Sequence, residues 1–142
     1  MMIKKGLWLG IATGVILGAV LWLVEAVTGE EVYTLLMNID FIPVLGDIAW
    51  PVWMEWVFHL LLSWAIAIVY LAWIAFQTEG ETSARWATSL LLSVLAALTY
   101  FPLTDLAIKE TPPLDDVTAI IYWFIAHLIY AVALVKLDEW SE

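Results

Sequence analysis

The stretch GLWLGIATGVILG, residues 6–18, places four glycines (Gly6, Gly10, Gly14 and Gly18) at intervals of four residues inside the first long apolar run. Each glycine in the interior of a soluble helix costs about 1 kcal/mol relative to alanine. In a lipid bilayer, small residues at this spacing instead let two helix backbones approach closely. The row therefore predicts a membrane helix that packs tightly against a neighbour.

Apolar runs of this kind take up most of the chain. Of its 142 residues, 64% are hydrophobic and 14% are charged, whereas soluble domains carry about a quarter charged residues. Four runs are long enough to cross a bilayer and predict spans at about 6–28, 52–77, 84–104 and 115–137. We therefore expect one all-α membrane domain over residues 1–142, a four-transmembrane-helix bundle whose first partner is the lipid bilayer.

The connection over 29–51 is too long for a simple turn between the first two spans. Val32, Leu35 and Ile39 recur in it at helical spacing. This pattern predicts a short interfacial helix over 30–38, lying along the membrane surface before the second span begins.

Positive residues in short loops favour the cytoplasmic side of a membrane. With both termini cytoplasmic, four of the five cations lie inside: Lys4, Lys5, Arg85 and Lys136. We therefore predict an N-in/C-in topology with an acidic outer face, which excludes nucleic acid as a partner there. Four acidic residues on the inner face are expected to be solvated: Glu79, Glu81, Asp138 and Glu139.

A second stripe of small residues lies on the third span, where Ser89, Ser93 and Ala97 follow one another at intervals of four. Each odd-numbered span is thus predicted to pack closely on a neighbour, or the two on each other. The glycine row also predicts contact with a second molecule, as a homo-oligomer or as a docking face for another membrane protein.

The second and fourth spans each contain one histidine, and a polar side chain inside a membrane is costly enough to suggest function. His59 and His127 both lie on the order of 12–15 Å below the outer boundary at 1.5 Å per residue. Each follows an aromatic pair and precedes a leucine. The match hints at a duplicated helical hairpin with both imidazoles at the same depth.

Several polar residues share faces with these histidines. On the second span, Glu55, His59, Ser63 and Tyr70 follow helical spacing. Carboxylates also close the outer ends of the first and third spans. The predicted proton or cation site comprises His59, His127, Glu55, Glu25, Asp105, Ser63 and Tyr70.

This set of histidines, carboxylates and hydroxyl residues is compatible with several functions. Imidazoles that titrate near neutral pH suit proton or cation conduction or sensing. His59 and His127 are also candidate ligands for a divalent metal or a b-type haem, although no cofactor is expected by default. Alternatively, both rings donate to backbone carbonyls or to Ser63 and fix helix packing. No nucleophile–base pair or phosphate loop is present, so an enzyme is not expected.

The chain resembles the YagU-like family of small bacterial inner-membrane proteins. The resemblance lies in four short motifs: His59 to Ser63 with Tyr70, Phe101-Pro102-Leu103, Thr111-Pro112-Pro113 with Asp115 or Asp116, and Ala126-His127-Leu128. It implies a multi-pass protein of the bacterial inner membrane, associated with survival under acid stress rather than with a defined reaction. Glu55 and Trp123 depart from the pattern, so the two histidines are the positions that carry over.

Overall fold

The computed structural model describes residues 2–77 and 82–141, and four helical spans among them are long and apolar enough to cross a membrane. The elements are α1 (Met2–Thr28), α2 (Val32–Met37), α3 (Val52–Phe76), α4 (Thr82–Leu98), α5 (Tyr100–Leu106) and α6 (Val117–Trp140). The third span consists of α4 and α5 together. The predicted all-α class with four long apolar helices is confirmed.

Local chemistry explains where the last two spans begin and break. Pro102 lacks the N–H that would bond to the Leu98 carbonyl, and the third span is interrupted at Thr99, whose hydroxyl donates to the Ala96 carbonyl. The fourth span begins at Val117 because the Asp116 carboxylate accepts the Ala119 N–H at 3.0 Å and caps the helix.

The first and last helices bring both termini to the same end of the bundle. The Nζ atom of Lys5 lies 2.7 Å from Oδ1 of Asp138. We call this the terminal end, and the opposite end, where α2 lies, the loop end. The assignment of the terminal end to the cytoplasm stays a prediction from the charges.

The glycine row lies against α3 of the same chain. A Cβ at Gly10 would collide with the Cα of Trp64, and one at Gly14 would lie 2.9 Å from the Ser63 side chain. At Gly18 the neighbour is the Trp56 ring. The glycines thus allow the close helix approach that their spacing predicts. Because α3 covers the row, it is not available as the predicted face for a second molecule, and homo-oligomerisation stays a prediction without that surface.

The small residues of α4 lie against α6. The Ser89 hydroxyl donates to the Ala131 carbonyl at 2.7 Å, and the Trp123 indole donates to the Ala97 carbonyl at 2.9 Å. Each odd-numbered span therefore packs on the even-numbered span that follows it, and α1 also packs on α6. The odd-numbered spans are not the main partners of each other, and α3 makes few contacts with α4.

Helix α2 covers the loop end of the bundle. Val32 and Leu35 are fully buried. The Glu25 carboxylate at the end of α1 accepts both the backbone N–H and the hydroxyl of Thr34, each at 2.8 Å. A helix therefore forms inside the range 30–38, although its position at a membrane surface stays a prediction.

Asp40 joins this connection to the one between the third and fourth spans. Its carboxylate accepts the backbone N–H groups of Ile108 and Lys109. Burial alone would raise its pKa, but these bonds, the Asn38 amide and the charge of Lys109 together hold the pKa of the Asp40 carboxyl below its ordinary value. The loops above the bundle are thereby held together.

The backbone contact at Gly10 predicts a graded response to added methyl groups. Gly10→Ala forces α1 away from the α3 backbone and should destabilise the protein by about 1–3 kcal/mol. Gly6→Ala meets the flexible end of Ile68 instead and should cost less. Reversible unfolding in detergent measures both variants. Equal stability of the two would contradict the close backbone approach.

Candidate functional site

A cavity of about 510 Å³ lies between α3, α4 and α6, beneath α2 and the connection that follows it. Its size falls within the range of small-molecule sites. Most of its wall is apolar, and Leu62 and Leu95 contribute to it although they are 64% and 53% exposed on the outer faces of their helices. The cavity therefore opens sideways between α3 and α4, toward the lipid that surrounds a membrane bundle.

The polar residues of the cavity include both histidines. His59 and His127 both line it and are 8% and 4% exposed. Nε2 of His59 lies 2.9 Å from the Gly14 carbonyl, and Nδ1 of His127 lies 2.8 Å from the Trp123 carbonyl. Since a carbonyl only accepts, each of these two nitrogens carries the hydrogen.

The carbonyl bonds determine which nitrogen of each neutral ring is left over. A neutral imidazole has one N–H and one lone pair. Nδ1 of His59 and Nε2 of His127 are therefore acceptors, and neither has a hydrogen-bond partner among the described residues. Two unpaired acceptors thus belong to the rings that line one cavity.

The hydroxyl groups beside the histidines are also donors to the backbone. Ser63 donates to the Gly10 carbonyl and Thr13 to the Leu9 carbonyl, each at 2.8 Å. Because the single proton of Ser63 is used in this way, the Tyr130 hydroxyl, 3.1 Å from it, is the donor of that pair. The polar side of the cavity consequently offers lone pairs and no free hydroxyl hydrogen at these positions.

A tryptophan lies one turn before each histidine and contacts its ring. The ring centroids are 5.8 Å apart for Trp56 and His59, and 4.7 Å apart for Trp123 and His127. The Trp56 indole is held in turn by the hydroxyl of Tyr33 at 2.9 Å. Each even-numbered span therefore places a tryptophan against its histidine, but the ring planes meet at 80° in α3 and at 39° in α6.

The predicted carboxylates do not converge on the histidines as a group. Glu55 lines the cavity and is paired with Lys109 at 3.0 Å. Glu25 lies apart because α2 uses its carboxylate, and Asp105 is exposed near the end of α5. Of the predicted acidic residues, only Glu55 belongs to this site.

Tyr70 lies on the predicted face of α3 but belongs to a different cluster. Its hydroxyl donates to Oδ2 of Asp138 at 3.1 Å. Lys5 and Arg85 approach the same carboxylate at 2.7 and 3.4 Å. Each of the four spans thus contributes one side chain to an ion-pair cluster at the terminal end.

Asp138 is fully buried, so the prediction that it is a solvated charge is wrong. It continues the buried face of α6 that includes His127, Ala131 and Leu134, and this spacing is the signal that reveals it. Glu139, paired with Lys136 at 2.9 Å, is partly exposed as expected. Glu79 and Glu81 lie outside the described residues.

On three of the four spans, an apolar residue separates the two polar clusters: Leu9, Ala67 and Leu134 are each fully buried between the cavity and the terminal end. On α4, Thr88, Ser89 and Ser93 are buried at about this depth, and the Ser89 hydroxyl donates to the Ala131 carbonyl. Along α3, Ser63 and Tyr70 are separated by about 10 Å at the usual helical rise. The hydroxyl groups below the histidines are therefore not joined to the Asp138 cluster along this helix.

Among residues 2–77 and 82–141, no group of three or more His, Cys, Asp or Glu side chains is arranged to hold a metal ion. The free nitrogens of His59 and His127 are the two ligands available in the cavity. A divalent metal or a haem at this pair stays a prediction.

Comparisons of the chain with protein-family models, with curated proteins and with solved structures give no match. The resemblance to the YagU-like family therefore stays a prediction from the short motifs. The role of the cavity is inferred from its own chemistry.

The Asp138 cluster predicts a large difference between two neighbouring acids. Asp138→Asn removes the charge that neutralises Lys5 and Arg85 and should destabilise the protein by about 3 kcal/mol or more. Glu139→Gln removes a surface ion pair and should cost about 0–1 kcal/mol. The free energy of unfolding of each variant, measured in the same detergent, gives the two losses of stability. A loss from Asp138→Asn no larger than that from Glu139→Gln would contradict a structural role for the cluster.

Proposed function

We propose that this multi-pass membrane protein binds protons at its two membrane-embedded imidazoles and so senses acidity. The observation that carries the proposal is the pair of free ring nitrogens, Nδ1 of His59 and Nε2 of His127, on rings that line one cavity. Histidine changes charge closer to neutral pH than the other common side chains. Proton binding at these nitrogens requires no loss of the existing carbonyl bonds.

Protonation changes the cavity strongly because its walls are apolar. A new positive charge there needs water or an acceptor to stabilise it. The other titratable groups that line the cavity are Glu55, paired with Lys109, and Tyr130. Glu55 is the anion at hand, so a protonated ring favours an arrangement that admits water or moves toward this carboxylate.

Sensing has more support than conduction because apolar residues separate the cavity from the terminal cluster on three of the four spans, as Leu9, Ala67 and Leu134 show. On α4, the Ser89 hydroxyl at this depth is bonded to the Ala131 carbonyl, whereas a proton path needs connected polar groups or water throughout. The alternative role as a docking partner for another membrane protein has less support, since α3 covers the glycine row on which it was based. The acid-stress association implied by the family resemblance agrees with sensing.

Proton uptake by the purified protein in lipid nanodiscs tests the proposal. Between pH 7.5 and pH 5, the unmodified protein should take up about one proton more per chain than the His59→Gln/His127→Gln double variant. Glutamine retains an N–H donor for the carbonyls but does not titrate. Glu139→Gln, at a surface ion pair away from the cavity, is the control for substitution itself. Superimposed curves for the unmodified protein and the double variant would contradict proton binding.

A flux measurement separates sensing from conduction. Proteoliposomes that contain the unmodified protein should show the same proton flux at pH 5 and pH 7 as those with the double variant. A flux at pH 5 that disappears in the double variant would favour conduction instead.

A further inference from the structure

The cavity is open to compounds dissolved in the bilayer. Leu62 on α3 and Leu95 on α4 both line it and are exposed on the outside of the bundle, where these two helices make few contacts. Phe58 and Leu92 continue the apolar wall inward. An apolar molecule can therefore enter from the membrane without passing through water.

The polar side of the cavity selects among such molecules. The N–H groups of both imidazoles and the hydroxyl hydrogens of Ser63 and Tyr130 all point to other protein groups. Beside the two rings, only lone pairs remain, on Nδ1 of His59, Nε2 of His127 and the Tyr130 oxygen, and the Asn38 amide, which also lines the cavity, donates to the Asp40 carboxylate. A ketone, ether or ester has only acceptor oxygens and could not form a hydrogen bond with these lone pairs. A hydroxyl group could donate to one of them.

The charged residues around the cavity further limit the head groups that it can bind. Glu55 is the only carboxylate among the described residues that line the cavity, and its single cationic partner, Lys109, is half exposed and already paired with it. No unpaired cation in this lining offers a site for a phosphate or a carboxylate head group. The cavity lining therefore fits an uncharged head group.

We infer that the cavity binds an uncharged lipid alcohol, with the hydroxyl head donating to the free nitrogen of His59 or His127 and the apolar tail extending between α3 and α4. This inference names a ligand for the site of the proposed function and rests on the same two ring nitrogens. A phospholipid acyl chain, which fills an apolar groove without a donor, is the competing occupant.

A matched pair of probes distinguishes these occupants. One is a sixteen-carbon alcohol with a diazirine in its tail, and the other is its methyl ether, which has the same tail and tag but no donor. Each is added to the unmodified protein in nanodiscs at neutral pH, photolysed, and mapped by mass spectrometry, with untagged alcohol as competitor. The alcohol should label residues of the cavity wall with an apparent affinity about tenfold higher than the ether, as expected for one well-made buried hydrogen bond.

The variant His127→Phe tests where the head lies. Phenylalanine keeps an aromatic ring but removes the acceptor, and the lost bond to the Trp123 carbonyl lies within one helix, so α6 should still form. The preference for the alcohol should fall toward the ether while labelling by the ether persists. Leu128→Phe, on the exposed side of α6, is the control and should leave the preference unchanged.

The labelling and proton-uptake results together separate this inference from the proposed function. Equal labelling by alcohol and ether in the unmodified protein, or labelling outside the cavity only, overturns the inference without the need for any variant. A protein that takes up protons through its histidines but does not prefer the alcohol retains the proposed function and loses this inference. A protein that prefers the alcohol but shows no histidine-dependent proton uptake retains this inference and loses the proposed function.

Discussion

Two hydrogen bonds from imidazole N–H groups to backbone carbonyls determine what the interior of this protein offers. The ring of His59 reaches the Gly14 carbonyl because the glycine row lets α3 lie directly on α1. His127 bonds to a carbonyl one turn earlier in its own helix. Both rings are thereby held with a lone pair left over, and the fold and the orientation of His59 depend on the same close helix contact.

The polar groups of the bundle are divided between two levels with different roles. At the terminal end, Asp138 with its partners from the other three spans holds the helices together. Within the cavity, the imidazoles and Ser63 donate to backbone carbonyls, Tyr130 donates to Ser63, and the ring acceptors stay free. Apolar residues such as Ala67 and Leu134 separate the two levels on three of the four spans, and on α4 the Ser89 hydroxyl is bonded to a backbone carbonyl.

Much of the architecture could be predicted from local pattern, because hydrophobic length and small-residue spacing act within one helix. The face of α3 that includes His59 and Ser63 was predictable for the same reason. Tyr70 shares that face with His59, but the rise over eleven residues already places it about 16 Å away, so the sequence itself argued against including it in the site. Glu25 was misplaced because its partner, Thr34, belongs to a helix that approaches only in the folded chain.

Other features depend on contacts between helices and leave little trace in the sequence. The carbonyl that a histidine reaches depends on how the helices are rotated against each other, so the free nitrogens could not be predicted. Asp138 could have been found by following the buried face of α6 past His127, but its position near a charged terminus suggested solvation. The sideways opening arises because α3 and α4 stay apart, which neither helix reveals alone.

The chain contains two histidines, so ¹⁵N-histidine solid-state NMR of the protein in bilayers at neutral pH reports on these rings alone, provided that the purification tag carries none. The geometry predicts two different neutral tautomers, with the hydrogen on Nε2 in His59 and on Nδ1 in His127, assigned by the loss of one set of signals in His59→Gln. Two rings with the same tautomer, or rapid exchange between tautomers in both, would contradict the hydrogen-bond arrangement on which the proposed site depends.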